Sequence, residues 1–182
     1  MKRTLLFISV VLIAIACQTP PKEAEKTETT VAPAESAKPT LTMPYTATYS
    51  SNFTADVSDE DLKTVLDSYV YWENGDMKAL SSVMGDSIFF DNPSGVQKTY
   101  SNADLMKMWQ KSRDSLSNVK VRMVAWQKLK SDKGHKFILT WYDEIDTYKT
   151  GKVDSTVMHD INTVDSVGKI VRYSQYRKPK LN

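Results

Sequence analysis

Residues 69–93 of the chain read YVYWENGDMKALSSVMGDSIFFDNP and contain the clearest signals for secondary structure. Its aromatic residues recur at helical spacing up to Gly75, a residue that favours the left-handed conformation at the end of a helix. Asp76 is a good N-cap for a second, shorter helix. The apolar run at residues 88–90 is typical of a short strand, and the residues DNP that follow it favour a turn. The stretch therefore predicts two consecutive helices and then a strand.

Similar signals on both sides of this stretch extend the pattern into one domain. Residues 58–61 (SDED) form a capping-box-like start of the first helix, and Ser101 caps a third helix. After the third helix the apolar residues alternate with polar ones, which indicates strands. The alternating segments are residues 121–125, 137–145, 157–164 and 170–176. This order predicts an α+β domain over residues 58–182, with three helices packed on one face of an antiparallel sheet.

The N-terminal part of the chain resembles the signal of a bacterial lipoprotein. A short basic start precedes an apolar run over residues 4–16, and Cys17, the only cysteine, follows the small residues that end this run. In such a signal the cysteine thiol is acylated, and the cysteine becomes the new N-terminal residue after residues 1–16 are removed. A membrane-spanning helix, which is the alternative, needs about 20 apolar residues, and this run is shorter. We therefore expect a cell-envelope protein anchored through acylated Cys17, in the outer membrane if Gln18 acts as it does in enteric sorting.

Residues 18–57 have the composition of a disordered tether. The segment is rich in Pro, Thr, Glu, Lys and Ala. It has too few large apolar residues to offset the entropy cost of ordering it. Tyr45, Tyr49 and Phe53 near its end break this pattern, so residues 45–57 either pack on the domain, as an extra strand, or stay loose. The composition favours the loose state.

Charge and cysteine content exclude several classes of function. The chain has 24 basic and 22 acidic residues, and two of the basic ones lie in the signal, so the mature chain is about neutral. A neutral chain without a basic stripe argues against a nucleic-acid partner. A single cysteine excludes an intramolecular disulfide. The two histidines, His135 and His159, have no cysteine or carboxylate at ligand spacing, so we expect no metal site. The sequence also has no Gly-rich phosphate loop, and we expect no cofactor.

The order and spacing of these motifs resemble the nuclear transport factor 2-like superfamily, which includes SnoaL-like polyketide cyclases and ketosteroid isomerases. The resemblance covers residues 58–176 and depends mainly on the 69–93 stretch, on the third-helix opening at 101–109 and on the turn GKIV at 168–171. It implies a cone, in which a curved sheet and the helices enclose a cavity whose mouth holds the ligand or the active site. It also implies a homodimer formed through the sheet.

The resemblance carries over only one of the three catalytic groups of the ketosteroid isomerases. In a gapless register from Gly75, the catalytic aspartate falls on Asn92. The tyrosine that binds the oxyanion falls on Ser68, and Tyr69 is its neighbour. The protonated acid falls on Asp160. Because a carboxamide cannot abstract a proton and a serine is a poorer donor than a phenol, we do not expect steroid isomerisation by that mechanism.

Strand alternation and the resemblance together predict the residues of the cavity. One face of a strand carries Trp141 and Asp143, and one face of the next strand carries Met158 and Asp160. The resemblance implies that both faces line the cone and that other elements add further residues. The candidate ligand-binding residues are Trp72, Asn92, Trp109, Trp141, Asp143, Met158 and Asp160. If the protein is an enzyme, Asp160 and Asp143 are the catalytic candidates, since burial and mutual repulsion raise the pKa of at least one of two facing carboxyls.

The same residues can also have purely structural roles. Three functions of the protein remain open as well. The two helical tryptophans can belong to the core, Asp143 can face solvent, and Asn92 can simply form a turn. His159 directly precedes Asp160 on the strand, so it is expected on the opposite face, as a surface or dimer-face histidine. The favoured function is non-catalytic binding of a small apolar or mixed-polarity molecule. The alternatives are a cyclase-, isomerase- or dehydratase-type enzyme that uses a pocket aspartate, and a dimeric interaction module that acts through its sheet.

Overall fold

Three helices and seven strands make up the part of the chain, residues 42–179, that the computed structural model describes. The helices are α1 (Asp59–Asn74), α2 (Met77–Val83) and α3 (Asn102–Arg113). The strands are β1 (Phe53–Thr54), β2 (Met84–Asp91), β3 (Gln97–Ser101), β4 (Leu116–Ser131), β5 (Lys136–Tyr148), β6 (Val153–Val164) and β7 (Ile170–Pro179). The domain is α+β, as the sequence predicts. No helix within residues 42–179 is both long and apolar enough to span a membrane.

All seven strands belong to one curved sheet, with the order β1-β4-β5-β6-β7-β2-β3. Five neighbouring pairs are antiparallel, and the pair β2 and β7 is parallel. The sheet is therefore mixed, which corrects the prediction of an antiparallel sheet. Parallel neighbours need a long connection. Here β3, α3 and three further strands separate β2 from β7 along the chain.

The helix ends follow the sequence signals closely. The hydroxyls of Ser58 and Ser101 each accept a hydrogen bond from the backbone N–H three residues on, at 3.0 Å and 3.1 Å, and so cap α1 and α3. Gly75 ends α1 in the left-handed conformation with φ of 72°. The Asp76 carboxylate accepts an N–H in the first turn of α2 at 2.9 Å. These local contacts position the residues on α1 and α3 that reach the cavity.

Alternation divides the sheet into two faces. The inner face, which the helices cover, carries Thr140 and Tyr142 of β5 opposite Asp160 and Met158 of β6. The outer face carries the residues between them, such as Trp141. The buried apolar core lies between the inner face and the helices and consists of Val57, Val65, Tyr69, Leu80, Met84, Ile88, Phe90, Leu105, Ile138, Tyr142, Met158, Val164, Ile170 and Tyr173.

Residues 49–57 pack on the domain, so the expectation of a loose segment is wrong there. Strand β1 pairs with the end of β4. The rings of Tyr49 and Phe53 each lie edge-on to Phe137 at 6.4 Å, and Val57 is 5 % exposed. A few aromatic residues at the end of a polar segment are enough to order that end, because their rings pack on Phe137 and the Tyr49 hydroxyl lies 3.0 Å from that of Ser131. The signal, Cys17 and the tether up to residue 41 lie outside the described residues.

Strand β3 is a second feature that the sequence does not predict. Its five residues, QKTYS, are mostly exposed and carry no apolar alternation. The strand forms because the turn after β2 directs the chain back along it, and the side-chain amide oxygen of Asn92 accepts the N–H of Ser94 in that turn at 3.0 Å. The turn interpretation of Asn92 is thus confirmed.

Candidate functional site

A cavity of about 400 Å³ lies between the helices and the inner face of the sheet. Its wall is mainly aromatic and apolar, with Tyr69, Trp72, Leu80, Met84, Phe90, Pro93, Met108, Trp109, Tyr142 and Tyr173. The polar residues of the wall are Ser68, Asn92, Ser94, Ser112, Glu144, Gln175 and Arg177. A few polar groups in a largely apolar wall of this size are characteristic of small-molecule sites.

Three tyrosines of the wall share one buried carboxylate oxygen. The hydroxyls of Tyr173, Tyr142 and Tyr69 donate to Oδ2 of Asp160 at 2.7, 2.8 and 2.9 Å. Asp160 itself is fully buried and reaches the cavity through these tyrosines. Burial raises the pKa of Asp160 to about 6, although the three hydrogen bonds act in the opposite direction by stabilising the anion. Burial also raises the pKa of each tyrosine, so all three phenols keep their protons at neutral pH.

Neighbouring side chains hold the phenols in place. The Gln175 amide donates to the hydroxyls of Tyr173 at 3.1 Å and Tyr142 at 3.4 Å. The hydroxyls of Thr140 and Tyr69 lie 2.6 Å apart. Because the Tyr69 proton goes to Asp160, Thr140 supplies the proton of this shorter contact. The result is a connected polar network behind an aromatic wall.

Glu144 adds a carboxyl group to the wall itself. It lies on the inner face of β5, two residues beyond Tyr142. Burial is the main reason that the pKa of Glu144 is raised to about 8, and the nearby Asp146 and Asp160 raise it further. The Arg177 guanidinium and a hydrogen bond from Trp72 oppose this shift. At neutral pH the cavity therefore contains a neutral carboxylic acid that can donate or release a proton.

Arg177 is the positively charged residue among those that line the cavity, and acidic neighbours offset its charge. Its guanidinium donates to the Asp154 carboxylate at 3.0 Å and to the Thr156 hydroxyl at 3.3 Å. Asp146 lies in the same region, where burial raises its pKa, Arg177 and Arg113 lower it, and Asp154 raises it. Two acids, Asp146 and Asp154, and two arginines therefore interact at this end of the cavity.

Four of the seven predicted ligand-binding residues are associated with the cavity. Trp72, Asn92 and Trp109 line it, and Asp160 contacts it through the tyrosines. Trp109 also packs edge-on against Phe90 and Tyr173, so its ring is at once part of the core and part of the wall. Met158 lies on the predicted face but is buried in the core and absent from the wall.

Trp141 and Asp143 lie on the outer face, so the prediction that they line the cavity is wrong. Trp141 pairs with His159 across the sheet and stacks on its ring at 4.7 Å. Asp143 forms an ion pair with Arg122 of β4. The alternation on β5 agrees with the prediction, but its phase relative to Asp160 differs from the prediction by one residue. The phase depends on the pairing register of β5 with β6, and a single strand's pattern does not contain that register.

The same error of phase explains two of the cavity residues that were not predicted, and the last strand contributes three more. Tyr142 and Glu144 occupy the inner face of β5 in place of Trp141 and Asp143. On β7, Tyr173, Gln175 and Arg177 point to the inner face at every second position. Their i, i+2 spacing was a usable signal, because alternation on the last strand gives three polar or aromatic residues on one face. The expected position of His159 on the face opposite Asp160 is confirmed.

The part of the chain from residue 42 to 179 contains no group of three or more His, Cys, Asp or Glu placed to hold a metal ion. The chain matches no protein-family model, and no curated protein is similar to it in sequence.

Solved structures nevertheless share its architecture. It is similar to an LEH-like epoxide hydrolase from M. tuberculosis (13 % identity, 66 % of this chain and 84 % of the other covered, TM-score 0.56). It is also similar to AusH from Aspergillus nidulans (16 %, 69 % and 88 %, TM-score 0.57). An NTF2-like protein from Exiguobacterium sp. 255-15 matches at 20 % identity over 63 % of this chain and 98 % of the other, with a TM-score of 0.52. The domain therefore has the nuclear transport factor 2-like fold, as the resemblance implies, and at these identities the similarity concerns the fold alone.

Proposed function

We propose that the protein is a lipid-anchored lipoprotein of the cell envelope and that its cavity binds a small apolar or mixed-polarity molecule without converting it. The observation that carries the proposal is the cavity of about 400 Å³ with its largely aromatic wall. Burial of a ligand's apolar surface against such a wall supplies affinity, and the few polar groups supply orientation.

Structural hydrogen bonds engage the residues at the isomerase-like positions, which supports binding without catalysis. The Ser68 hydroxyl donates its proton to the backbone oxygen of Val65 at 2.6 Å, so it cannot at the same time stabilise an oxyanion. The Asn92 amide oxygen holds the turn after β2. Asp160 accepts three tyrosine hydrogen bonds and lies behind the wall. None of these three groups is directed at a bound molecule in the way that acid–base catalysis requires.

Anchoring through Cys17 rests on the sequence pattern of residues 1–17. Metabolic labelling with a radioactive fatty acid should label the wild-type chain and leave the Cys17→Ser variant unlabelled, because the thiol is the acylation site. Fractionation of the envelope then tests the outer-membrane assignment. Label on the Cys17→Ser chain, or its absence from the wild type, would contradict this part of the proposal.

Native mass spectrometry of the chain purified from its source envelope tests the binding function. We expect a retained small molecule, and we expect Ser112→Trp to abolish its retention, since this exposed residue of α3 lines the cavity and a large ring there fills it. The matched control is Ser82→Trp on α2, an exposed position outside the wall. Retention by both variants would place the molecule elsewhere, and an empty wild-type chain would argue against the binding function.

The tyrosine–aspartate network favours a second candidate, an enzyme of the cyclase, isomerase or dehydratase type. Three phenols line the cavity and connect it to Asp160, whose pKa of about 6 suits proton transfer near neutral pH. Incubation of the protein with the molecule recovered from its cavity, followed by mass spectrometry, would detect conversion. Asp160→Asn should then abolish conversion and still retain the molecule. An unchanged rate in this variant would exclude Asp160 from the reaction.

The proposal also includes a homodimer, and the outer face of the sheet supports it. The rings of Trp141, His159 and Tyr176 stack in a row across β5, β6 and β7. Tyr176 and the neighbouring Val157 are 51 % and 41 % exposed. A large apolar patch on one face of a sheet is typical of protein–protein contacts.

A further inference from the structure

The charged groups that surround Glu144 have an acidic excess. Asp146 of β5 and Asp160 of β6 act on it from the sheet, and Arg177 of β7 acts in the opposite direction. Helix α1 contributes the hydrogen bond from Trp72. The residues of α3 that line the cavity carry no charge, and Arg113 at the end of that helix acts on Asp146 while it donates to the backbone oxygens of Trp72 and Glu73. Glu144 itself lines the cavity, so any ligand that fills the cavity meets its carboxyl group.

Arg177 does not reverse the excess of acidic groups around Glu144. Asp154 and Thr156 already accept hydrogen bonds from its guanidinium. An anionic ligand would therefore have to compete with Asp154 for Arg177, and it would also approach Asp146 and Asp160. Repulsion between like charges in a poorly solvated site makes that arrangement unfavourable.

The aromatic wall favours a positively charged ligand. The indole of Trp72 lines the cavity beside Glu144, and Trp109, Phe90 and Tyr173 form one cluster with ring centroids 5.6–6.0 Å apart. The faces of aromatic rings attract cations, most strongly in a site from which water is excluded. A cavity that combines such rings with a carboxyl group fits a positively charged organic group.

We propose that the cavity binds an organic cation, which is a protonated amine or a quaternary ammonium group on an apolar body. Its cationic group forms an ion pair with the Glu144 carboxylate. This inference rests on the proposed binding function and gives it a ligand class. It follows that binding is linked to proton release, because Glu144 is neutral before the cation arrives and ionised afterwards. With the pKa of Glu144 at about 8, affinity for a cation should fall about tenfold for each pH unit below that value.

Isothermal titration calorimetry of the full chain in a non-ionic detergent tests the proposal with three probes. Benzyltrimethylammonium, benzyl alcohol and phenylacetate share an aromatic body and differ in charge. We expect the cation to bind at least about tenfold more tightly than the alcohol at pH 8.5, and phenylacetate to bind most weakly. The quaternary ammonium does not titrate, so a loss of its affinity between pH 8.5 and pH 6.5 reports the protein's own group.

The variant Glu144→Gln identifies that group. It should lose the preference for the cation and the pH dependence, and its unchanged affinity for benzyl alcohol shows that the cavity is still intact. The exposed Glu60→Gln substitution on α1 is the matched control and should behave as the wild type. If the alcohol or phenylacetate binds as tightly as the cation, or if Glu144→Gln keeps the preference, the inference is wrong and the binding function stands. If none of the three probes binds, the proposed binding function fails as well.

Discussion

At the scale of single residues, the two carboxyl groups of the site differ because their surroundings differ. Asp160 is completely buried, but three phenols donate to one of its oxygens. Glu144 lines the cavity, where a hydrogen bond from Trp72 and the Arg177 charge only partly compensate for burial. The pKa is consequently about 6 for Asp160 and about 8 for Glu144. Hydrogen bonds to the charged form thus lower the pKa of the more deeply buried acid below that of the other.

The raised pKa of Glu144 predicts how the stability of the fold depends on pH. Between the unfolded value near 4.5 and the folded value of about 8, the folded chain binds the proton more strongly than the unfolded chain. The free energy of unfolding therefore decreases as pH rises through this window, by on the order of 3 kcal/mol from this group. Urea unfolding at pH 5, 6, 7 and 8 measures it, and Glu144→Gln should show a flatter profile than wild type or Glu60→Gln. A profile that is identical in the Glu144→Gln chain would contradict the assignment.

At the scale of elements, Arg113 at the end of α3 connects two helices and thereby positions the cavity wall. Its guanidinium donates to the backbone oxygens of Trp72 and Glu73 at 3.1 Å each and to that of Leu116 at 3.3 Å. The first two oxygens belong to the last turn of α1, whose carbonyl groups lack partners within the helix, and the Trp72 oxygen also accepts the N–H of Gly75 at 3.1 Å. A cation at this position also interacts favourably with the helix dipole.

Removal of this contact should destabilise the domain. We expect Arg113→Gln to lower the free energy of unfolding by about 2 kcal/mol, because it leaves partly buried carbonyl groups without a charged donor. Lys111→Gln on the same helix is the control, and a change at such an exposed position should stay within about 0.5 kcal/mol. Urea unfolding of the two variants at one pH makes the comparison, and equal effects would show that the charge alone matters.

At this scale the sequence predicts those features that residues close together in the chain determine. The capping serines, Gly75 and Asp76 act within one helical turn, and the structure confirms each of them. Strand β3 and the packing of residues 49–57 depend on partners distant in the chain, so composition did not indicate them. The phase of β5 belongs to the same class, because it is set by pairing with β6. The structure therefore places the two helical tryptophans at the cavity and Asp160 behind its wall, and it places Trp141, Asp143 and Met158 away from the wall.

At the scale of the whole molecule, the two faces of the sheet have different surroundings. The helices and the cavity cover the inner face. The stacked rings of Trp141, His159 and Tyr176 lie on the outer face, where Tyr176 is 51 % exposed. His159 Nδ1 donates to the Thr140 backbone oxygen at 3.0 Å, since a carbonyl can only accept, and this bond fixes its ring in the row. A row of stacked rings with an exposed Tyr176 at its end is a suitable contact surface for a second copy of the chain.

A charge placed on this face should therefore prevent dimer formation. Val157 is 41 % exposed beside the aromatic row, and in Val157→Asp two new carboxylates would lie near each other across a two-fold interface. Sedimentation velocity of residues 44–182 should give a dimer for the wild type and a monomer for this variant. Val167→Asp is the control, because Val167 is 76 % exposed in the turn between β6 and β7, away from the face. A wild-type monomer, or a Val157→Asp dimer, would show that the outer face does not pair in this way, and the cavity would then have to act within a single copy of the chain.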